Sequence, residues 1–272
     1  MRLPKRFDIV PHLPSPRPPH WPLPWPEVVR YLTQPSANQR GQRHIESVET
    51  VDGWRRVKFR ELAKPLTFPA SMPMDVLRMV ADEIFDPHHW HHYQIPETSV
   101  QPGDVVVDCG AAEGLFTLVA AEKAARVFAV EPLPEFIEGL HRTFDEDPKV
   151  TILPVAAGAT SGTVRFAADT ISSNINAGGE IEARLEPLDS LLGEAAATVS
   201  YLKADVEGAE IDVIRGAAGL IARNKPRIVL AVYHDPNDYR AIADELRRLR
   251  PDYTLRFKGL AANGNPVVLH AW

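Results

Sequence analysis

From Val105 onward, hydrophobic and polar positions alternate on two length scales. Short, nearly continuous apolar runs (VVVDC, RVFAVE, VTILPVA, VSYLKAD and RIVLAVY) are separated by longer stretches whose apolar residues recur every three or four positions. The short runs suit strands buried on both faces. The long ones (GLFTLVAAEKAA, LPEFIEGLHRTFDED, EIDVIRGAAGLIARN and DYRAIADELRRL) suit helices carrying one apolar stripe. Strands and helices in this order predict an α/β fold with a parallel sheet covered on both sides. The last two apolar segments, YTLRFKG and NPVVLHAW, are joined by a loop containing Asn263-Gly264 with no helix between them, so they are predicted to close the sheet as an antiparallel pair.

Upstream the pattern changes. VETVDGWRRVKFREL alternates around Asp52-Gly53, a dipeptide that supplies positive φ for a two-residue turn, and predicts a hairpin. Met74 to Phe85 has helical apolar spacing. The first 35 residues are so rich in proline (LPSPRPP, WPLPWP) that no helix or central strand is expected there, only an extended or polyproline arm. Such an arm is either a ligand for a proline-recognising module or a wrapping extension anchored by Trp21 and Trp25; the usual role of amphipathic aromatics favours the second. These patterns divide the chain into an N-terminal arm and hairpin region, residues 1–73, and a main domain, residues 74–272. Between the third and fourth strands, residues 162–192 are too many for one crossover helix and predict short strands and a loop that form a wall of a site.

Composition narrows the functional classes. A chain of 272 residues can bury a full core, and its single cysteine, Cys109, excludes an internal disulfide framework and a cysteine-based zinc cluster. The expected compartment is the cytoplasm. A formal net charge of -6 gives no general attraction to nucleic acid or anionic membrane, so a small molecule or glycan is the expected partner. The sequence contains neither a membrane-spanning apolar run nor a signal-peptide pattern.

The chemistry is expected at the carboxyl ends of the parallel strands, where strand order reverses. Asp108 to Gly114 follows the first of them as D-x-G-x-x-x-G, a loop in which Gly110 and Gly114 let the backbone turn and a ligand approach the next helix. The dinucleotide fingerprint needs glycine where Ala112 and Leu115 stand, so a pyrophosphate is poorly served and S-adenosylmethionine (SAM) is favoured. Glu131, at the end of the second strand, is placed to accept both ribose hydroxyls.

Two further clusters carry candidate catalysts. In LKADVEGAEIDVIRGA, Asp205 reads as a helix cap with Glu207 and Glu210 in the first turn, while Lys203 and Asp205 share a strand face near the cleft. The fifth strand ends in AVYHDPND, bringing His234 and Asp235 to the same sheet edge. His234 is a candidate base, and Asp205 with Asp235 a candidate site for a divalent cation such as Mg2+. HHWHHY, residues 88–93, is either a metal cluster or a polar segment covering the cleft. Strand geometry puts His89 and His91 on one face and His88 and His92 on the other, which argues against the metal. Cys109 has no activating base near it in sequence and is expected to pack.

Over roughly Trp90 to Gly259 the sequence resembles the FkbM family of SAM-dependent methyltransferases. The likeness rests on HHYQIPETSVQPGDVVVDCGAAEGLFTL, VFAVEPLPEF, ILPVAAGATSGTVRF, LDSLL and above all LKADVEGAEIDVIRGA. It implies a Rossmann-like, seven-stranded class I methyltransferase sheet, mostly parallel with an antiparallel last strand. It also implies methyl transfer to a hydroxyl of a sugar, glycan or secondary metabolite. By the same likeness Asp108, Gly110, Ala111 and Gly114 cradle the methionine end, Glu131 holds the ribose, Tyr93 covers the cofactor and Asp205 faces the acceptor. Two departures stand out. GAAEG lacks the asparagine many relatives carry in the loop, and AAGATSG lacks an acid for the adenine amino group, leaving that contact to backbone or to Ser173 and Asn174. The competing functions are a non-catalytic adenosine-binding module and an NAD-linked oxidoreductase. SAM-dependent O-methylation, with Asp205, His234 and Lys203 as catalytic candidates, is the expectation.

Overall fold

The computed structural model describes residues 5–13, 16–166, 179–234 and 238–272. A 3-10 turn (Lys5–His12) leads to α1 (Trp25–Thr33) and α2 (Ala37–Gly41), followed by β1 (Ile45–Val51), β2 (Trp54–Phe59), β3 (Leu66–Pro69) and α3 (Met74–Phe85). The alternating part contains β4 (Val105–Cys109), α4 (Leu115–Lys123), β5 (Arg126–Val130), α5 (Pro134–Phe144) and β6 (Val150–Leu153). After these come β7 (Ala156–Ala157), β8 (Gly162–Phe166), β9 (Ile181–Glu186), α6 (Leu188–Leu191) and β10 (Tyr201–Ala204). The chain ends with α7 (Glu210–Gly216), α8 (Ala218–Asn224), β11 (Arg227–Ala231), α9 (Asp238–Leu249), β12 (Leu255–Lys258) and β13 (Val268–Ala271).

The main sheet has seven strands in the order β12-β13-β11-β10-β4-β5-β6. Strands β11, β10, β4, β5 and β6 run parallel, and β13 lies antiparallel to both β11 and β12. This is the Rossmann-like sheet with an antiparallel last strand that the sequence predicts. From β4 the chain winds outward through β5 to β6, then returns to place β10 on the other side of β4. The carboxyl ends of β4 and β10 therefore open a crevice between them, the general position for ligands in such sheets.

Alternation along the strands sorts the core into two layers. Val107, Phe128, Leu202 and Ile228 face one layer, packed by Ile214, Leu220 and Leu246 of α7 to α9. Val106, Val127, Tyr201 and Val229 face the other, where Leu115, Phe136 and Leu140 join Phe59 and Phe68 of the N-terminal hairpin region and Leu77 of α3. That hairpin closes through Asp52 (φ 49°) and Gly53 (φ 79°), with Val51 paired to Trp54, as the Asp-Gly signal predicts. The segment at 162–192 supplies the antiparallel pair β8 and β9, with β7 beside β9. Its centre, with Ser173 and Asn174, lies outside the described residues.

Two expectations are corrected. The proline-rich region does form helix: Pro26 occupies the first turn of α1, where no backbone N–H is needed, so the ring's fixed φ favours the helix there. EIDVIRGAAGLIARN is not one helix but α7 and α8, broken at Ala217, next to Gly216, whose Cβ position lies 2.0 Å from the Gly158 carbonyl oxygen. Of the two proposed anchors, Trp21 is 5% exposed and its indole N–H donates to the Gly259 carbonyl at 2.9 Å, whereas Trp25 is 68% exposed. Among the described residues no helix is long and apolar enough to cross a membrane. Urea unfolding should therefore show Trp21→Ala less stable by about 3 kcal/mol or more, and Trp25→Ala within about 0.5 kcal/mol of the parent.

Candidate active site

The loop after β4 is built around close backbone approach. Gly110 has φ +70°, and a Cβ on it would sit 1.9 Å from the Asp205 carbonyl oxygen, so only glycine lets the ends of β4 and β10 pass at this point. Gly114 begins α4 at φ +89°, with its Cβ position 2.6 Å from Leu140 Cδ2. Ala112 holds a positive φ of 46° without being glycine, and its N–H donates to Glu131 Oε2 at 2.9 Å. Leu133 N–H donates to Glu131 Oε1 at 2.9 Å, so the carboxylate is fixed at both oxygens. Burial still dominates and pushes the Glu131 carboxyl up to about 7, the two N–H donors and the Lys203 charge only moderating it.

Beneath the loop, Asp108 and Lys203 are paired neighbours on β4 and β10, with Nζ 3.0 Å from Asp108 Oδ1. Lys203 also donates to the Gly110 carbonyl at 2.7 Å, and Thr117 Oγ1 donates to Asp108 Oδ2 at 2.6 Å. Burial acts to lower the Lys203 pKa, but the Asp108 and Asp205 carboxylates outweigh it and raise it.

A cavity of about 210 Å³ opens above this pair. On the β5 side its lining includes Glu131, Leu133, Phe136, Ala156, Ala157 and Phe166, a carboxylate beside an apolar slot. On the β10 side it includes Glu83, His91, Tyr93, Asp205, Glu207 and Tyr233. There the Tyr93 hydroxyl donates to Asp205 Oδ2 at 2.5 Å, His91 Nε2 lies 3.4 Å from the same oxygen, and His91 Nδ1 lies 3.4 Å from Glu83 Oε2. Burial works against a charged His91, yet Glu83 and Asp205 raise its pKa to about 10. The Asp205 carboxyl, which burial alone would raise, is held well below the usual carboxylate range by His91, Lys203 and His234.

Of the residues singled out from sequence, Tyr93, Gly110, Ala111, Glu131, Lys203 and Asp205 line the cavity. Asp108 and Gly114 lie below the lining and shape the loop. His234 is not in the lining; it stands behind Asp205 with Nε2 3.6 Å from Asp205 Oδ1. Asp235 lies outside the described residues. Cys109 is fully buried in the core, its thiol pKa raised first by burial and then by Asp108.

The helix-cap role expected of Asp205 is a correction. α7 starts only at Glu210, whose own carboxylate turns back to accept the Val206 N–H at 2.9 Å and the Gly208 N–H at 3.1 Å. Glu207 precedes that helix, at φ +57°. With the donors of this turn satisfied by Glu210, Asp205 is free to face the cavity.

Sequence reasoning missed Glu83 and Tyr233, and it placed His91 only as one histidine of a segment covering the cleft. The histidine segment is a turn, not a strand, and its rings diverge. His88 is exposed, His89 approaches Asp82 at 3.6 Å, His92 Nδ1 lies 3.0 Å from the Glu83 carbonyl, and only His91 reaches the cavity. Glu83 carried a usable signal, as an acid next to the apolar stripe of α3, one residue from the buried Ile84.

Residues 108–253 match the family model described as the methyltransferase FkbM domain. No match was found among curated protein sequences. Among solved structures, an FkbM methyltransferase from Methylobacillus flagellatus KT superposes with a TM-score of 0.53 at 19% identity, covering 72% of this chain and 54% of that one. This chain thus spans about half the length of that protein. Aeropyrum pernix fibrillarin in complex with S-adenosyl-L-methionine is also similar, with a TM-score of 0.38, 13% identity, and coverage of 84% of this chain and 99% of that one. The family match takes in more than half of the 272 residues and every described element from β4's acid to the end of α9. With the sheet order and the loop geometry in agreement, the chain belongs to the FkbM methyltransferase family.

Proposed function

We propose that the protein is a SAM-dependent O-methyltransferase acting on a hydroxyl of a sugar, glycan or secondary metabolite. The observation that carries this is the division of one cavity at the β4/β10 crevice, with a fixed carboxylate and an apolar slot on one side and a half-buried, ionised aspartate on the other. The residues fit the cofactor. Gly110, Ala111 and Ala112 line the cavity with small residues that leave room for a ligand beside the loop backbone, Glu131 has free lone pairs for ribose hydroxyls, and Ala156, Ala157 and Phe166 offer an apolar slot of the kind a purine needs. Bound SAM supplies a methyl group already activated on a sulfonium, so positioning of the acceptor oxygen accounts for most of the rate.

Asp205 orients the acceptor by accepting its hydroxyl hydrogen at Oδ2, the oxygen that Tyr93 and His91 hold in place at the cavity wall. Its low pKa makes it an orienting acceptor that passes the hydroxyl proton on to solvent as the oxygen–methyl bond forms, rather than a group that retains it. Lys203 works as a positioning residue, holding Asp108 and the Gly110 carbonyl, and His234 acts through Asp205. The carboxylates around the acceptor side disfavour phosphorylated or nucleic-acid acceptors and favour neutral polyols.

Calorimetric titration with S-adenosylhomocysteine (SAH) tests the cofactor half. We expect micromolar binding, none with NAD, and a loss of about tenfold or more in Glu131→Ala, since hydrogen bonds to a charged acceptor are worth about 1.5–3 kcal/mol each. Absence of SAH binding would overturn the assignment.

Glu131 is the better acceptor as a carboxylate, so SAH affinity should rise with pH through about 7 and level off above it. In Glu131→Gln that rise should vanish. A rise that survives the substitution would instead implicate Glu113, another cavity-lining acid, whose carboxyl burial also pushes up to about 7.

The acceptor half is tested by following SAH production across a panel of neutral, anionic and cationic hydroxyl compounds. Turnover is expected with neutral polyols, and Asp205→Asn should lower it by about tenfold or more while leaving SAH affinity within about twofold. Equal turnover in the variant would remove Asp205 from the acceptor site.

A further inference from the structure

His234 is held among three carboxylates. Its Nδ1 lies 3.1 Å from Glu210 Oε1, and its Nε2 lies 3.4 Å from Glu207 Oε2 and 3.6 Å from Asp205 Oδ1. None of these approaches has hydrogen-bond geometry. Asp205 Oδ1 and both His234 ring nitrogens are shut off from solvent without a hydrogen-bond partner among the described residues. Tyr93 and His91 both approach Asp205 Oδ2, so Oδ1 is the oxygen left over, and it points toward His234. A buried polar atom with no partner is costly enough that such a group needs an explanation, and here three occur together.

Charge points the same way. Glu83, Asp205, Glu207 and Glu210 gather around this end of the cleft, and the positive groups facing them are the His91 and His234 rings. Lys203 is engaged with Asp108 and the Gly110 carbonyl. Among the described residues, and with Lys203 offset by Asp108, these four carboxylates outnumber the two imidazole charges by two even when both rings are protonated. One ligand atom from each of Asp205, Glu210 and His234 lies within 4.8 Å of the other two, so a single ion at the usual metal-to-ligand distance of about 2.0–2.5 Å can touch all three. A donor set of two carboxylates and one imidazole, with coordination positions left open, suits a hard divalent cation.

We propose that Asp205, Glu210 and His234 bind a divalent cation of the magnesium or manganese type beside the acceptor end of the cleft. The three ligands come from the end of β10, the start of α7 and the end of β11, so the crevice assembles them. The site itself stands apart from the methyltransferase assignment. Its use in the reaction rests on that assignment: a cation held at Asp205 takes the acceptor hydroxyl at an open position and lowers that hydroxyl's pKa, which His234, behind the lining, does not do by contact.

The test uses the full chain and Mn2+ alone, followed by electron paramagnetic resonance, with SAH binding measured on the same samples. One Mn2+ per chain at submillimolar concentration is expected, displaced by Mg2+ and weakened about tenfold or more in His234→Ala and in Glu210→Gln. Glu210→Gln keeps an oxygen at the Oε1 position, which accepts the Val206 N–H at 2.9 Å and the Gly208 N–H at 3.4 Å, and circular dichroism melts of both variants separate lost ligation from lost folding. No bound Mn2+ at about ten millimolar, or binding unchanged by both substitutions, overturns the site and leaves the His234 imidazolium as the counter-charge. Mn2+ binding without SAH binding supports the cation site while removing the methyltransferase assignment, so the two failures are distinct.

Discussion

The buried ion pair between Lys203 and Asp108 is the contact on which the rest of the crevice depends. The two residues are register partners on the adjacent strands that flank the reversal of strand order. Both side chains are almost wholly buried, so each charge is tolerable only because the other is present and because Thr117 and the Gly110 carbonyl take the remaining valences. Removing either partner leaves an uncompensated charge in the core, a far larger penalty than the net worth of the pair. The pair also carries information about position. It ties the end of β4 to the end of β10 and to the first turn of α4, fixing where Gly110 passes the Asp205 carbonyl.

From that fixed point the cavity's two halves diverge in chemistry. On the β5 side, Glu131 is braced by backbone N–H groups from two loops, and burial brings its carboxyl close to neutrality. On the β10 side, Asp205 is driven the other way by imidazole neighbours. Two carboxylates facing one cavity thus differ in protonation behaviour because one is surrounded by peptide dipoles and apolar walls and the other by cations. That contrast gives direction to the site: a ligand with hydroxyls at one end and a positive centre toward the middle is oriented by it.

Much of this was legible in the sequence wherever the signal is local. Asp52-Gly53 names its own turn, the apolar runs from Val105 name the strands, and the spacing after Asp108 names a loop that suits a nucleoside better than a pyrophosphate. Glu131 was found because its position relative to a strand end is a sequence-level quantity. His91 was hidden because periodicity applies only inside regular elements, and residues 86–92 form a turn whose side chains leave in different directions. The helix-cap reading of Asp205 fails for a related reason, while its place facing the cleft stands. Either Asp205 or Glu210 satisfies the local rule for a helix start, and only the fold decides that Glu210 turns back while Asp205 is left for the cavity. The proline-rich start erred in the opposite sense, since a proline in the first turn supports a helix that the same proline would break four residues later.

The segment LKADVEGAE, inside the family match, compresses these constraints into nine residues. Lys203 anchors the strand end to Asp108, Asp205 faces the ligand, Glu207 and Gly208 take positive φ to turn the chain, and Glu210 pins the turn by gathering its N–H groups. Each residue needs its neighbour. Without Glu210 the turn has unsatisfied donors and Asp205 is drawn into capping; without Lys203 the crevice loses its floor and Asp205 a cation that helps keep it charged. The motif is therefore a device for presenting one ionised carboxylate at the carboxyl end of a parallel strand. What that carboxylate meets is set from outside the motif, by His91 and Tyr93 from the segment after α3 and by His234 from the end of β11.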